Sequence, residues 1–357
     1  MSDPALRPSR RYLTMVVASI SLIVLTCVAF LVPVPYVALS PGPAYDTLGD
    51  FDGEPMFTFG QDVKTYPTKG SLAFTSVRVT AARSEVSLAE AFDAYFADDT
   101  AVVPRSTVYP ETQSVKDSEE ESRAQLVSSK DSSRVAALRS AGYTVPEPGM
   151  VVDIVPGDPA DGRLQKGDIV RSVDGRSTPT REDVAAAIGR VDPGDTVVIE
   201  FVRKGDEKSI GIVTRPDPEN TKEPRIGVSM RPRFDFPVEI ENNVGARIGG
   251  SSAGTMFALA IYDRLTPGSL TGGLQVAGTG TIAADGTVGP IGGVAQKMVG
   301  AAAQGATVFL VPADNCEAAT GGGDQGMRLV KVSTLAGAID ALNRLAKDPK
   351  ASVPRCT

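Results

Sequence analysis

Hydrophobic and polar positions divide the chain into stretches of different texture. From Leu13 to Val32 no charged residue occurs and most side chains are apolar. A run of about 20 apolar residues matches the hydrocarbon thickness of a bilayer and predicts a membrane-spanning helix over 12–34. The segment "VPVPYVALSPGPAYD" follows, and its prolines and glycine predict an extended exit rather than a helix. "GSLAFTSVRVT" (70–80) alternates like a strand, and "SLAEAFDAYF" opens with Ser87 and Glu90 in capping-box spacing, as a short helix would. Residues 110–133 are polar and charged, which predicts a surface helix or a linker and no catalytic role. Short β runs with Gly/Asp/Pro turns then alternate up to about residue 216, interrupted by a helix over 180–190 that starts at Thr180 and Asp183 and buries Val184, Ala187 and Ile188. "RPDPENTKEPRIG" (215–227) reads as a linker.

Beyond Ile226 the texture changes again. "IGVSMRPRF" and "FPVEIE" read as strands, and "SAGTMFALAIYDRL" as a buried helix. "GLQVAGTGTIAADGTVGPIGG" reads as two strands around an Asp285-Gly286 turn. "VAQKMVGAAAQGATVFLVPADN" gives a helix, a stop at Gly305 and a buried strand. The resulting fold class is α/β (α+β) and multidomain, with 357 residues leaving room for two or three domains.

Composition removes many chemistries. The chain has no histidine, so a Ser-His-Asp triad, a Cys-His pair and histidine-based zinc sites are all impossible within it, and no metal site is expected. No Gly-Lys dipeptide occurs, so no P-loop, ATP or other cofactor is expected. A net charge of −7 argues against a nucleic-acid partner. Arg7, Arg10 and Arg11 precede the apolar run and would stay in the cytoplasm, leaving everything past about residue 35 outside in a single-pass cell-membrane protein. A cleaved signal peptide usually has an apolar region of only about 7–15 residues. Here the nearest small-residue cleavage candidate, Ala38-Leu39-Ser40, is followed by Pro41, so a retained anchor is expected. Outside the cytoplasm Cys316 and Cys356 could pair and tie down the tail, or stand as two free thiols; Cys27 lies in the span.

One stretch poses a chemical question. "GGSSAGT" (249–255) places serines among glycines at the mouth of the buried helix, a way of presenting a nucleophile. A serine hydroxyl needs a base, and without histidine a buried neutral lysine is the alternative. Lys297 shares a helix face with the apolar Val294, Met298 and Ala301. On the helix alone it reads equally as a base or as a lysine whose stem packs while its head reaches water.

Two resemblances bear on this. "LQKGDIVRSVDGR" (164–176) and the helix after it make 134–216 resemble a PDZ domain, a module that binds an extended peptide as an added strand. Pro148, Gly149, Met150 and Val151 fall at the family's carboxylate loop, although they depart from its Gly-Leu-Gly-Phe pattern. Residues 225–346 resemble the proteolytic domain of Lon proteases. Ser251-Ser252-Ala253-Gly254 matches that family's serine motif, Thr279-Gly280 its hairpin, and Pro290 to Lys297 its P-I-G-G-x-x-x-K signature. The resemblance implies Ser252 as nucleophile, Lys297 as general base, Thr279 as the hydroxyl holding the lysine amine, and amides around Ala253 and Gly254 as oxyanion donors. Ser251 fills the family's proline slot and is structural.

The whole arrangement resembles membrane-anchored Lon-like serine peptidases with a PDZ domain. It runs as a cytoplasmic segment 1–11, anchor 12–34, extracytoplasmic region 35–133, PDZ domain 134–216, linker 217–224, proteolytic domain 225–346 and tail 347–357. The resemblance implies an ATP-independent endopeptidase acting on extracytoplasmic or membrane-proximal polypeptides, with the PDZ domain binding substrate and the chain forming a homo-oligomer. The competing expectation is a catalytically silent PDZ scaffold that keeps the Lon-type domain for oligomer contacts.

Overall fold

The computed structural model describes residues 10–81, 84, 86–110, 113–245 and 247–356. Arg7 and most of the expected cytoplasmic segment lie outside the described residues. Helix α1 (Arg10–Leu31) buries none of its side chains and is long and apolar enough to cross a membrane. Strands β1 (Tyr36–Asp46) and β2 (Ser71–Val79) follow, then the capped helix α2 (Leu88–Phe96), strand β3 (Ala101–Pro104) and the long helix α3 (Val115–Ser140). The middle of the chain gives β4 (Gly149–Ile154), β5 (Ile169–Val173), α4 (Arg181–Ile188), β6 (Thr196–Arg203), β7 (Asp206–Val213) and β8 (Val228–Pro232). The remainder gives α5 (Gly254–Leu265), β9 (Gln275–Gly278), α6 (Val294–Ala303), β10 (Val308–Pro312), β11 (Arg328–Val332) and α7 (Leu335–Lys347). The class is mixed α/β, with an apolar N-terminal helix, a β-rich module in the middle and an α/β module at the end.

Two compact units result, one made of Met1–Thr58, Lys64–Ala137 and Ile240–Thr357, the other of Phe59–Val63 and Leu138–Glu239. The first is built on a six-stranded sheet in the order β11-β10-β9-β2-β1-β3. Strands β2, β9, β10 and β11 run parallel, while β1 is antiparallel to both β2 and β3. All five residues of β10 are buried, as expected of a parallel strand covered on both faces. Helix α5 is buried almost all round, which its lack of polar surface requires.

This unit corrects the expected partition. Residues 35–133 do not form a region of their own, because β2 pairs with β9 from Ser71↔Gln275 to Phe74↔Gly278. The proline-rich exit segment is likewise strand β1, which the edge strand β3 flanks on its far side. The tail is ordered on β11, with Lys331 N donating to Pro354 O and Cys356 bonded to Cys316 in a disulfide.

The second unit is a sheet ordered β7-β6-β5-β4-β8, with a two-residue strand beside β5. Val197, Ile199 and Phe201 alternate inward along β6 and meet Val184, Ala187 and Ile188 of α4. Helix α4 starts at the expected Thr180, which forms a capping box with Asp183. A second correction falls here. "IGVSMRPRF", expected as a strand of the proteolytic domain, is β8 and pairs with β4 in this sheet instead. The first unit resumes only at Ile240.

Candidate active site

The loop before α5 cannot take an ordinary turn, because Gly250 has φ +80°, a left-handed conformation that favours glycine. Its N–H donates to the carbonyl of Ser122 on α3 at 3.0 Å. Ser129, about two turns further along the same face of α3, donates its hydroxyl to Ser251 O at 3.1 Å. Residue 254 must be small as well: a Cβ there would lie 2.8 Å from Ser129 Oγ. These contacts fix the backbone on both sides of Ser252 and set the direction of its side chain.

Thr279 follows directly on strand β9, and α6 delivers Lys297 at the end of its first turn. Lys297 Nζ lies 2.7 Å from Ser252 Oγ and donates to Thr279 Oγ1 at 3.0 Å. Thr279 passes the polarity on, donating its own hydroxyl hydrogen to Ser252 O at 3.0 Å. The lysine is 3 % exposed, Thr279 is fully buried, and no carboxylate among the described residues acts on the amine. Burial without a counter-charge disfavours the ammonium form and brings the Lys297 pKa from 10.5 down to about 7. At neutral pH the amine therefore has a free lone pair for a substantial part of the time, beside a hydroxyl that can give up its proton.

The loop that leads into α6 is clamped from outside. Asn315 accepts from Ile291 N at 2.8 Å and donates to Ile291 O at 2.9 Å. Ser252 and Lys297 open onto a cleft of about 370 Å³ whose walls include Ser76, Val77, Gln125, Arg247 and Ile291. The expected oxyanion donors divide. Gly254 N is turned to Ser251 O at 3.3 Å, and Thr255 N donates to Gly280 O at 3.0 Å. The amides of Ser252 and Ala253 have no protein acceptor among the described residues, so two donors remain at the serine.

Sequence reasoning missed the contribution of α3. Lys130 on that helix donates to the carbonyls of Asn242 at 2.9 Å and Val244 at 2.7 Å, bracing the strand that leads to the serine loop. Leu126, Ser129 and Ser133 are buried at helical spacing. Two of the three are polar, so a search for apolar periodicity passes over them.

The structure places the residues expected to bind peptide within the sheet of the second unit. Gly149, Met150 and Val151 belong to β4, which has β8 on one side and β5 on the other. Pro148 O already accepts from Arg233 N at 2.9 Å. An added strand needs a free row of N–H and C=O groups, and the row of β4 on the β8 side is taken from Gly149 to Ile154. The open edge of that sheet nearest α4 is β8, supplied from beyond the expected domain boundary.

Comparison with known proteins assigns two modules. Residues 124–214 match the family model of the PDZ domain, and residues 239–324 match that of the Lon protease (S16) C-terminal proteolytic domain. A curated protein of Halomonas elongata described as a probable periplasmic serine endoprotease DegP-like is 30 % identical over 105 residues. That match covers 26 % of this chain and 22 % of the relative, so the chain spans only about a fifth of it. Among solved structures, the PDZ domain of the SdrC-like protein of Listeria monocytogenes is 24 % identical, over 23 % of this chain and 86 % of that one, with a TM-score of 0.22. Its counterpart from Listeria innocua is 26 % identical, over 24 % and 93 %, also at 0.22. The chain carries a PDZ domain and a Lon-type proteolytic domain.

Proposed function

We propose that this protein is a serine endopeptidase in which Ser252 is the nucleophile and Lys297 the general base. The observation that carries the reading is the uncharged setting of the Lys297 amine, 2.7 Å from Ser252 Oγ and 3.0 Å from Thr279. In this mechanism neutral Lys297 takes the proton of Ser252 as Oγ attacks the scissile carbonyl. The amides of Ser252 and Ala253 receive the oxyanion, a contribution worth about 2.7–4 kcal/mol per donor in comparable sites. The ammonium then returns its proton to the leaving amine, and the neutral lysine activates the water that hydrolyses the acyl-enzyme. Thr279 holds the amine on line throughout, since its oxygen accepts one N–H while its own hydrogen is committed to Ser252 O.

The reading extends to the rest of the chain. Helix α1 anchors the protein as a single pass, with Arg10 and Arg11 on the cytoplasmic side and the catalytic part outside. No nucleotide is needed, and the PDZ domain takes the place of an ATPase in handling unfolded or membrane-proximal polypeptides. A substrate strand adds to the outer edge of β8, beside α4. The resemblance to Lon-type domains also implies a ring of like protomers.

The test is labelling of the detergent-solubilised chain with a serine-reactive phosphonate, read by mass spectrometry and paired with turnover of casein. Wild type should acquire the adduct on Ser252, and Ser252→Ala should lose both label and turnover. Lys297→Ala should lose turnover by at least about a thousandfold, the scale of a lost base acting on a weak nucleophile. A Lys297→Ala chain with full activity, or a wild type that takes no label, refutes the dyad; the latter outcome leaves a silent scaffold.

A further inference from the structure

Helix α2 has a face that the rest of its unit does not cover. Leu88, Phe92, Tyr95 and Phe96 are 43 %, 62 %, 70 % and 68 % exposed, and burial begins at Ala91, on the flank of the helix next to Tyr95. Spacings of three and four residues put the four on one stripe. The rings cluster, with Phe92–Phe96 centroids 5.2 Å apart and Tyr95–Phe96 5.3 Å. Aromatic residues make up 6 % of the chain but three of the nine residues here, so the stripe is a concentrated patch and not scattered surface apolarity.

Its position relative to α1 identifies what covers it. Pro33 and Val34, directly after α1, pair antiparallel with Ser87 and Val86, directly before α2. Two extended residues span about 7 Å. The headgroup layer outside the hydrocarbon core is about 5–7 Å thick on each side. Helix α1, at about 1.5 Å per residue, fills the core with its 22 residues. The first turn of α2 therefore falls in the headgroup layer. Ala29, from the last turn of α1, lines one shallow, mainly apolar hollow together with Leu88, Phe92 and Phe96, with Asp93 as its one charged member, so the stripe continues the lipid-facing surface of the anchor. Glu90 lies off the stripe, in the capping box with Ser87.

We propose that α2 is an interfacial helix whose aromatic stripe sits in the outer headgroup layer, giving the catalytic unit a second contact with the bilayer beside its anchor. The inference rests on the reading of α1 as a membrane anchor. Phenylalanine and tyrosine at this depth bury their rings while the tyrosine hydroxyl stays hydrated, the usual chemistry of aromatic belts. With acidic residues and no basic ones in α2, the contact is apolar and draws on neutral lipid rather than on anionic headgroups. It would fix the height of the catalytic unit above the membrane and favour substrates that emerge close to the surface.

The chain contains no tryptophan, so a single Phe96→Trp substitution gives an unambiguous reporter. The full-length variant is reconstituted into phosphatidylcholine vesicles with and without bromine near the top of the acyl chains. A helix seated about 5–10 Å into the interface should lose at least about half its tryptophan emission in the brominated vesicles. Val127→Trp, on the exposed side of α3, serves as the control and should change little. Phe92→Trp repeats the test should Phe96→Trp fold poorly. Unquenched emission from both α2 reporters overturns the proposal. So does blue-shifted, unquenched emission that varies with the protein-to-lipid ratio, which marks a second copy on the stripe. Alkaline carbonate washing reads the anchor separately: a chain washed off the vesicles refutes the anchor, whereas a retained chain with unquenched reporters refutes the α2 contact alone.

Discussion

Replacing Lys297 by methionine should abolish catalysis and at the same time make the protein more stable. Methionine fills the same unbranched space with no charge to desolvate. The fall of the lysine from 10.5 to about 7 gives the magnitude. At about 1.36 kcal/mol per tenfold change in proton affinity, it corresponds to about 5 kcal/mol, an upper bound on what the buried amine costs when solution conditions favour its ammonium. The unfolded chain holds its proton up to about pH 10.5 and the folded chain only up to about pH 7, so the unfolded state binds more protons between those values. Wild-type stability therefore climbs as pH rises through that window, and the Lys297→Met chain lacks this climb. The difference between the two proteins should be largest below about pH 6 and vanish above about pH 10.5. For a unit of this size each kcal/mol moves the melting temperature by about 2–4 °C. Thermal unfolding of both proteins in the same detergent should show the variant at least about 5 °C higher at pH 6, converging on wild type at pH 10. A variant no more stable than wild type at pH 6, or a gap that does not close with pH, refutes the argument that the site is built around an uncharged amine.

Three further outcomes follow from the same geometry. Turnover should rise about tenfold between pH 6 and pH 8 and then flatten, as a base with a pKa of about 7 loses its proton; a flat profile over that range excludes Lys297 as the base. Thr279→Val removes both hydrogen bonds that steer the amine, so kcat should fall about 10–100-fold with KM nearly unchanged. The midpoint of its pH profile should also move below that of wild type, because the ammonium loses an acceptor; a variant with unchanged kcat and midpoint shows that Thr279 positions nothing. Cys356→Ser opens a cross-link between residues 40 apart, which by chain entropy contributes about 4 kcal/mol, and the melting temperature should drop accordingly. An unchanged melt with a dithiothreitol-insensitive wild type refutes that contribution.

The features legible in the sequence are the ones written locally. The apolar run before Val32 shows a helix long enough to cross a membrane because bilayer thickness sets a length, and the caps at Ser87 and Thr180 form within one helical turn. The serine loop and the lysine signature are each a few residues long, and a chain without histidine leaves lysine as a base that could serve the serine. What failed to show was pairing at a distance. Nothing near Ser71 announces that it will lie against Gln275, so the strands before residue 80 read as a separate region. Nothing in "IGVSMRPRF" announces β4 as its partner, and whether a strand is an edge or an interior member depends on such partners, not on its own residues. The polar residues of α3 read as solvated, yet Ser129 and Lys130 spend their donors on backbone carbonyls of the serine loop and the segment before it. The sequence by itself therefore determined which reactive groups this protein owns: two serines in a glycine turn, one lysine on an apolar helix face and no imidazole. Only the tertiary structure decided what those groups are, because the charge of Lys297 depends on how completely the surrounding elements exclude water from it, and desolvation belongs to packed neighbours rather than to spacing along a chain.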